Sequence, residues 1–142
     1  MAIDGVKYEV EILDTAGEED FQNMMDMWIS FGQGFILAFA INDQESFDVI
    51  KQKRERIIKG KRNKNVPMIL VGNKQDLQSE RQVPYSVAKE LADKWGIEYI
   101  ETSAKTNFNC KEAFEKLVKK VVENNGNNFG INRKSSCCCQ VF

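Results

Sequence analysis

Short apolar runs alternate with longer stretches of helical periodicity along most of this sequence. Two runs, GFILAFAI at 34–41 and VPMILVG at 66–72, are typical of strands buried on both faces of a sheet. A helical stretch from about Gln44 to Lys59 separates them, and another helix begins near Pro84 and ends at Gly96. The alternation predicts an α/β fold: a doubly wound, mostly parallel sheet with helices on both faces.

The same alternation continues toward both ends of the chain. An Asp-Gly pair within residues 2–7 predicts a hairpin, whose second arm continues as a strand to about Ile12. IEYIETSAK at 97–105 supplies a last strand and its loop, and 110–123 has the period of an amphipathic helix. The side chains of that helix predicted to face inward are Ala113, Phe114, Leu117, Val118 and Val121.

Composition, net charge and the length of the apolar runs limit the classes of protein to which this chain can belong. The chain has 142 residues, 42% of them hydrophobic and 29% charged, as expected for one soluble globular domain. A formal net charge of -1 gives no basic footprint, so we expect no nucleic-acid partner. Apolar runs fall far short of the roughly 20 residues that span a bilayer, and the N-terminus lacks the pattern of a targeting peptide.

The four cysteines are unevenly placed, with Cys110 alone and Cys137, Cys138 and Cys139 adjacent. This spacing suits neither a disulfide framework nor a zinc site, and the chain has no histidine. Periodicity stops near Asn124, so we predict one domain at 1–124 and a flexible tail at 125–142.

Polar loops follow three of the predicted strands: DTAGE at 14–18, NKQD at 73–76 and ETSAK at 101–105. Ligands of such folds bind where parallel strands end, so these loops are candidates for one site. Asp76 can accept two parallel hydrogen bonds from adjacent N–H donors, which guanine offers and adenine does not. Asn73 can pair with a base edge, and the alkyl stem of Lys74 can cover a purine face.

Each loop taken alone has an ordinary structural explanation. Asp14 and Gly17 suit a turn at the end of a strand, and Asn73 and Asp76 suit a cap before a helix. The segments DTAGEE, LVGNKQDL and ETSAK, in this order and spacing, resemble the Ras-type small GTPases over nearly the whole chain. The resemblance implies a monomeric signalling switch that binds GTP or GDP with Mg²⁺ and hydrolyses GTP. It also implies effectors, exchange factors and GTPase-activating proteins as partners.

The resemblance also assigns roles to individual residues. Asp14 would hold Mg²⁺ through water and the Gly17 N–H would contact the terminal phosphate, within a mobile second switch that extends to about Trp28. Glu18 stands where the family usually has the glutamine that orients the attacking water. The residues that would surround the base are Asn73, Lys74, Asp76, Ser103, Ala104 and Lys105.

One part of the family pattern is absent from these residues. No Gly-x4-Gly-Lys-Ser/Thr phosphate loop occurs, and the first strand, first helix and first switch of the family are missing. We therefore expect phosphate affinity to be weak and activity impaired. We also expect the missing strand to leave unpaired edges between the strands at 34–41 and 66–72.

The C-terminus carries a separate motif. Cys139-Gln140-Val141-Phe142 fits C-a-a-X, and a terminal phenylalanine favours a geranylgeranyl group on Cys139. One lipid binds membranes only reversibly, so we predict palmitoylation of Cys137 and Cys138 and location at the cytoplasmic face of the plasma membrane. Docking of this hydrophobic tail on the domain is the alternative, which the Asn-rich spacer disfavours.

Two functions therefore remain open. The first is a membrane-anchored, GTP-driven signalling switch, and the second is a membrane-tethered interaction module that does not hydrolyse GTP. Coding sequence upstream of Met1 would distinguish them, because an in-frame phosphate loop favours the switch.

Overall fold

The structure is a computed structural model that describes residues 2–3, 6–7, 9–14, 29–30, 32–62, 65–103, 105–106, 108–125 and 136–141. Side chains are described for a smaller set: 29–30, 32–62, 65–103, 105–106, 108–109 and 111–123.

The N-terminal residues form the predicted hairpin. Strands β1 (Ala2–Ile3) and β2 (Val6–Lys7) pair antiparallel, with Ala2 opposite Lys7 and Ile3 opposite Val6. The strand that follows, β3 (Glu9–Asp14), belongs to a different and larger sheet.

The larger sheet has five strands among the described residues, and every adjacent pair in it is parallel. Their order across the sheet is β3-β7-β4-β5-β6. The four strands beside β3 are β4 (Gly34–Ala40), β5 (Met68–Asn73), β6 (Glu98–Glu101) and β7 (Ser136–Val141). Since strands of a parallel sheet end at one edge, the loops after β3, β5 and β6 share that edge.

Helices connect these strands as the sequence predicts. Asp43 caps the first helix by accepting a hydrogen bond from the Ser46 amide, and Gly96 ends the third in the left-handed conformation at φ 70°. None of the described helices is long and apolar enough to cross a membrane. The helices are α1 (Gln44–Asp48), α2 (Ile50–Lys61), α3 (Tyr85–Trp95) and α4 (Cys110–Asn125).

Buried apolar side chains cover both faces of the sheet. Along β4, Phe35 and Leu37 pack into a cluster with α1, α2 and α3, whereas Ile36 packs into a second cluster with α4. This is why β4 is apolar throughout and β5 is apolar up to its last residue, Asn73, and it confirms the predicted α/β architecture. Four of the predicted inward residues of α4 are buried and Phe114 packs partly against them; the four are Ala113, Leu117, Val118 and Val121.

The predicted position of the missing strand is wrong. Strands β4 and β5 pair directly with each other, from Phe35 opposite Met68 to Ala40 opposite Asn73. The interior position lies instead between β3 and β4, and β7 occupies it.

The C-terminal residues also differ from the prediction of a flexible tail, because Ser136–Val141 is a strand of the sheet. The physical reason is that β3 and β4 each present backbone N–H and C=O groups that need partners. An extended segment of the same chain supplies them. Asn125 is the last residue of α4, and the rest of the predicted tail, 126–135 and Phe142, lies outside the described residues.

Candidate functional site

Two of the candidate loops are joined into one unit by backbone hydrogen bonds. Strands β5 and β6 pair up to Gly72 opposite Glu101, so their loops emerge side by side. The Thr102 amide then donates to the Gly72 carbonyl at 2.8 Å, and the Gln75 amide donates to the Thr102 carbonyl at 3.0 Å. The loop after β5 is therefore fixed relative to the loop after β6.

A side-chain hydrogen bond joins the same loops at Asp76 and Ser103. Ser103 is fully buried, and its hydroxyl donates to Asp76 Oδ1 at 2.6 Å while accepting from the Thr106 amide at 3.2 Å. This hydroxyl, with a backbone amide and the charges of Lys105 and Lys74, holds the pKa of Asp76 below its ordinary value although burial opposes it. Asp76 is consequently a carboxylate at neutral pH.

Asn73 and Lys74 form a tight turn at the end of β5. Asn73 Oδ1 accepts from the Lys74 amide at 2.8 Å and from the Thr102 hydroxyl at 3.4 Å. Lys74 has φ 62° and ψ 37°, a left-handed conformation that costs a non-glycine residue about 1 kcal/mol or more. Backbone strain of this kind is concentrated at functional sites. The Lys74 side chain is exposed.

The chemistry of this edge fits a guanine base. A carboxylate has two oxygens and about four acceptor positions, so Asp76 retains acceptor capacity after it binds the Ser103 hydroxyl. Asp76 has no proton to donate while ionised, which disfavours a base edge that presents an acceptor there. The site can therefore select a ligand with two adjacent N–H donors.

The remaining predicted site residues are only partly described. Lys105 lies close enough to Asp76 to lower its pKa, whereas Ala104 lies outside the described residues. Asp14 is the last residue of β3 at the same sheet edge, and only its backbone is described. Gly17 and Glu18 lie outside the described residues. Among side chains that are described, no three acidic, cysteine or histidine groups gather as a metal site.

The structure reveals three supporting residues that sequence analysis missed: Tyr99, Arg81 and Glu101. Arg81 binds both Glu101 carboxylate oxygens, at 2.8 and 2.6 Å, and Tyr99 donates to the same carboxylate at 2.5 Å. Burial raises the pKa of Glu101, but these hydrogen bonds outweigh it and hold the pKa below its ordinary value. Burial is the largest cause that raises the pKa of the Tyr99 hydroxyl, and its hydrogen bond to Glu101 is the second largest.

The hydrogen bonds among Tyr99, Arg81 and Glu101 stabilise the loops after β5 and β6, which carry the predicted base-binding residues. Arg81 follows the 3-10 segment Gln75–Glu80, which contains Asp76, and Glu101 directly precedes Thr102. Period-two alternation puts Tyr99 and Glu101 on one face of β6, but no local pattern indicates a partner 20 residues earlier in the chain.

We expect Arg81→Met to destabilise the protein by about 3 kcal/mol at pH 7, because it leaves a largely buried carboxylate unpaired. The Arg81 and Glu101 side chains are only 18% and 10% exposed. Because folding lowers the pKa of Glu101, the ion pair stabilises above the unfolded pKa of about 4.3 and its contribution is lost as pH falls through the folded pKa. Urea denaturation at pH 7 and pH 3 measures both effects.

The matched control is Lys89→Met, which breaks the exposed Lys89–Asp93 pair at 2.9 Å. An exposed ion pair of this kind is screened by solvent and contributes little, so little change in stability is expected at either pH. A penalty for Arg81→Met that is the same at both pH values would contradict the assigned electrostatic role.

Gly72→Ala should destabilise the domain by about 1–3 kcal/mol through overpacking. A Cβ at Gly72 would collide with the Tyr99 hydroxyl and lie 3.1 Å from Ile41 Cγ2 and 3.2 Å from Phe39 Cζ. Adding Tyr99→Phe removes the colliding atom, so the double variant should lose less stability than the two single changes summed. Thermal denaturation of the four proteins tests this coupling, and additive penalties would refute it.

Comparison with known proteins agrees with the geometry of this edge. The family model described as the Ras family matches residues 1–123. The chain is 40% identical over 150 aligned residues to Ras-related protein Ral-B of Rattus norvegicus, covering 97% of this chain and 73% of that protein. It is 39% identical to Ras-related protein ralB-A of Xenopus laevis, with the same coverage of both chains. With polar loops joined at the carboxyl edge of a parallel sheet and similarity of this extent, the chain belongs to the Ras family.

Proposed function

We propose that this protein is a Ras-type switch that recognises the guanine base through Asp76. The observation that carries this proposal is the ionised carboxylate of Asp76, held by the buried Ser103 hydroxyl across two loops that backbone bonds lock together. A carboxylate held in place before the ligand arrives loses little entropy on binding. Family membership supports the same assignment.

Residues next to Asp76 would make the other contacts with the guanine base. Asn73 is fixed by the Lys74 amide, which orients its side chain for a base edge or a neighbouring loop. Lys74, exposed at the loop tip, provides an alkyl stem that can cover a purine face. Adenine presents an acceptor where guanine presents N–H, so it would leave acceptor positions of the Asp76 carboxylate unfilled and would bind more weakly.

The phosphate side of the site is proposed from the family pattern. Bound nucleotide would supply the phosphoryl group and, with Mg²⁺, the charge that a switch segment detects. Asp14 would hold the metal through water, and the Gly17 N–H would contact the terminal phosphate. Glu18 can accept a hydrogen bond from water but cannot donate one to a phosphate oxygen, so we propose slow hydrolysis.

A second candidate function is a membrane-tethered interaction module that does not hydrolyse GTP. The observation in its favour is Glu18, which stands where the family usually has the glutamine that orients the attacking water. Such a module would still use the folded sheet as a scaffold for partners, and it would bind nucleotide phosphates weakly.

Membrane attachment is proposed through the C-terminal cysteines. The Cys139 thiol would lose its proton, and the resulting thiolate would form a thioether by displacing diphosphate from geranylgeranyl diphosphate. Palmitoyl groups on Cys137 and Cys138 would supply the second anchor at the plasma membrane. Arg133 and Lys134 would add only about 1 kcal/mol each near anionic lipid.

Recognition of the guanine base can be tested separately from binding of the triphosphate. We expect GMP to bind the 142-residue chain with a Kd of about a millimolar, seen by ligand-observed NMR, and AMP to bind much more weakly. Asp76→Asn should abolish the preference, because an amide presents one acceptor and one donor instead of two acceptors. Asp93→Asn, on the exposed face of α3, is the control. Equal binding of GMP and AMP by the unmodified chain would exclude the proposed base recognition.

A further inference from the structure

A cavity of about 370 Å³ lies at the edge of the sheet opposite the base loops. It is found where β5 and β6 begin, between the C-terminal ends of α3 and α4. Its volume falls within the range of small-molecule sites in proteins, about 300–1,000 Å³. The cavity is therefore large enough for a small ligand and is separate from the predicted nucleotide site.

Part of the cavity lining is apolar and packed against the core. Val66 and Met68 are buried, and Ile97 packs against the same core cluster. Trp95 also packs there, and the Arg54 guanidinium lies 4.8 Å from the centroid of its ring. These contacts hold the indole in place before a ligand arrives, so binding costs little side-chain entropy on this side.

Two opposite charges also line the cavity. Lys120 and Glu123 are three residues apart on α4, so they lie on one face of the helix. Within the described part of the chain neither forms an ion pair, whereas Lys116 of the same helix pairs with Glu98 at 3.3 Å. The cavity thus presents one cation and one anion next to an apolar wall.

We propose that this cavity binds a hydrophobic α-amino acid in its zwitterionic form. Lys120 binds the carboxylate, Glu123 binds the ammonium group, and the aliphatic side chain lies against Trp95 and Ile97. A free amino acid carries all three groups on one carbon atom, and a ligand with a single charge would leave one of the two cavity charges without a partner. A phosphate ester is disfavoured, because it would face the carboxylate of Glu123.

Trp95 allows a direct measurement of binding. The chain has two tryptophans, so Trp95 is the sole indole in a Trp28→Phe background. We expect l-isoleucine to change its fluorescence and to saturate with a Kd of about a millimolar. Isoleucinamide lacks the carboxylate and N-acetylisoleucine lacks the ammonium group, so each should bind at least about fivefold more weakly. Equal binding of l-isoleucine and either analogue overturns the proposal, as does a failure to saturate.

Variants of the two charged residues test which group each one binds. Lys120→Gln and Glu123→Gln should each weaken l-isoleucine binding at least about fivefold. Lys120→Gln should leave the affinity for isoleucinamide unchanged, because that analogue has no carboxylate for Lys120 to bind. By the same reasoning, Glu123→Gln should leave the affinity for N-acetylisoleucine unchanged.

The matched controls are Lys119→Gln and Glu112→Gln, which make the same chemical changes at exposed positions of α4 outside the cavity lining. They should bind l-isoleucine as the unmodified chain does. Equal losses in the controls and in the cavity variants would show a general effect of charge and would overturn the proposal.

Ligand-observed NMR on the unmodified chain repeats the titration, so the result does not depend on how the Trp28→Phe variant folds. GMP should leave the affinity for l-isoleucine unchanged, because the two sites lie at opposite edges of the sheet. Displacement of l-isoleucine by GMP would place both ligands at the base loops and overturn this inference. Binding of GMP without l-isoleucine refutes the amino-acid site alone, and the reverse result refutes base recognition alone.

Discussion

The 142-residue chain is expected to lose GDP and GTP on gel filtration. Its base site offers hydrogen bonds from one edge, but the sequence contains no phosphate loop to supply N–H donors and a lysine to the triphosphate charge. Base contacts alone at a Kd of about a millimolar correspond to roughly -4 kcal/mol, too weak to survive dilution on a column. Nucleotide released by denaturing the eluted protein measures retention, and stoichiometric GDP would refute this prediction.

The control for this prediction adds a phosphate loop to the chain. A polypeptide in which a family strand and phosphate loop precede Met1 should retain GDP when purified in Mg²⁺. Adding the same segment with its lysine changed to alanine keeps the added length but removes one charge from the phosphate site, so retention should fall. If both extended polypeptides retain GDP equally, the lysine of the phosphate loop is not a determinant of affinity here.

Cys139→Ser is expected to abolish membrane association of a tagged tail, residues 125–142. Serine cannot form the thioether, and without the first lipid the tail is not delivered to the membrane where palmitoylation takes place. Arg133 and Lys134 alone contribute about 2 kcal/mol near an anionic surface, which is too little for stable anchoring. Cell fractionation and fluorescence microscopy of the tagged tail measure the loss.

The paired variant keeps Cys139 and changes Cys137 and Cys138 to serine. It should stay prenylated but redistribute from plasma membrane to internal membranes, because one prenyl chain anchors only reversibly. A Cys139→Ser tail that still fractionates with plasma membrane would disprove prenylation as the primary anchor.

Much of the fold could be predicted because local pattern and tertiary environment agree. Residues 34–41 and 66–72 are apolar throughout, and β4 and β5 are indeed buried on both faces. Pro84 and Gly96 fix the ends of α3 through their own backbone preferences. The loops of the candidate site could be located because parallel strands bring their ends to one edge.

Other features depend on partners that lie far away in sequence. SCCCQV at 136–141 has few residues and no period, so nothing local indicates that it lies between β3 and β4. For the same reason, sequence analysis did not identify Arg81 as the partner of Glu101. It also predicted the missing strand between β4 and β5, which pair directly with each other. The left-handed turn at Lys74 was also unforeseen, since a lysine does not favour it.

The order of strands in the sheet also bears on how the protein is made. Strand β7 lies between β3 and β4, yet Ser136 follows Ala40 by 96 residues. At about 5–20 residues per second, a ribosome needs on the order of ten seconds to synthesise that interval. During this time β7 is not available to pair with β3 and β4, and strand edges that lack a partner can pair with other chains. Folding of this sheet should therefore be largely post-translational, and nascent chains should depend on chaperones that bind exposed strands.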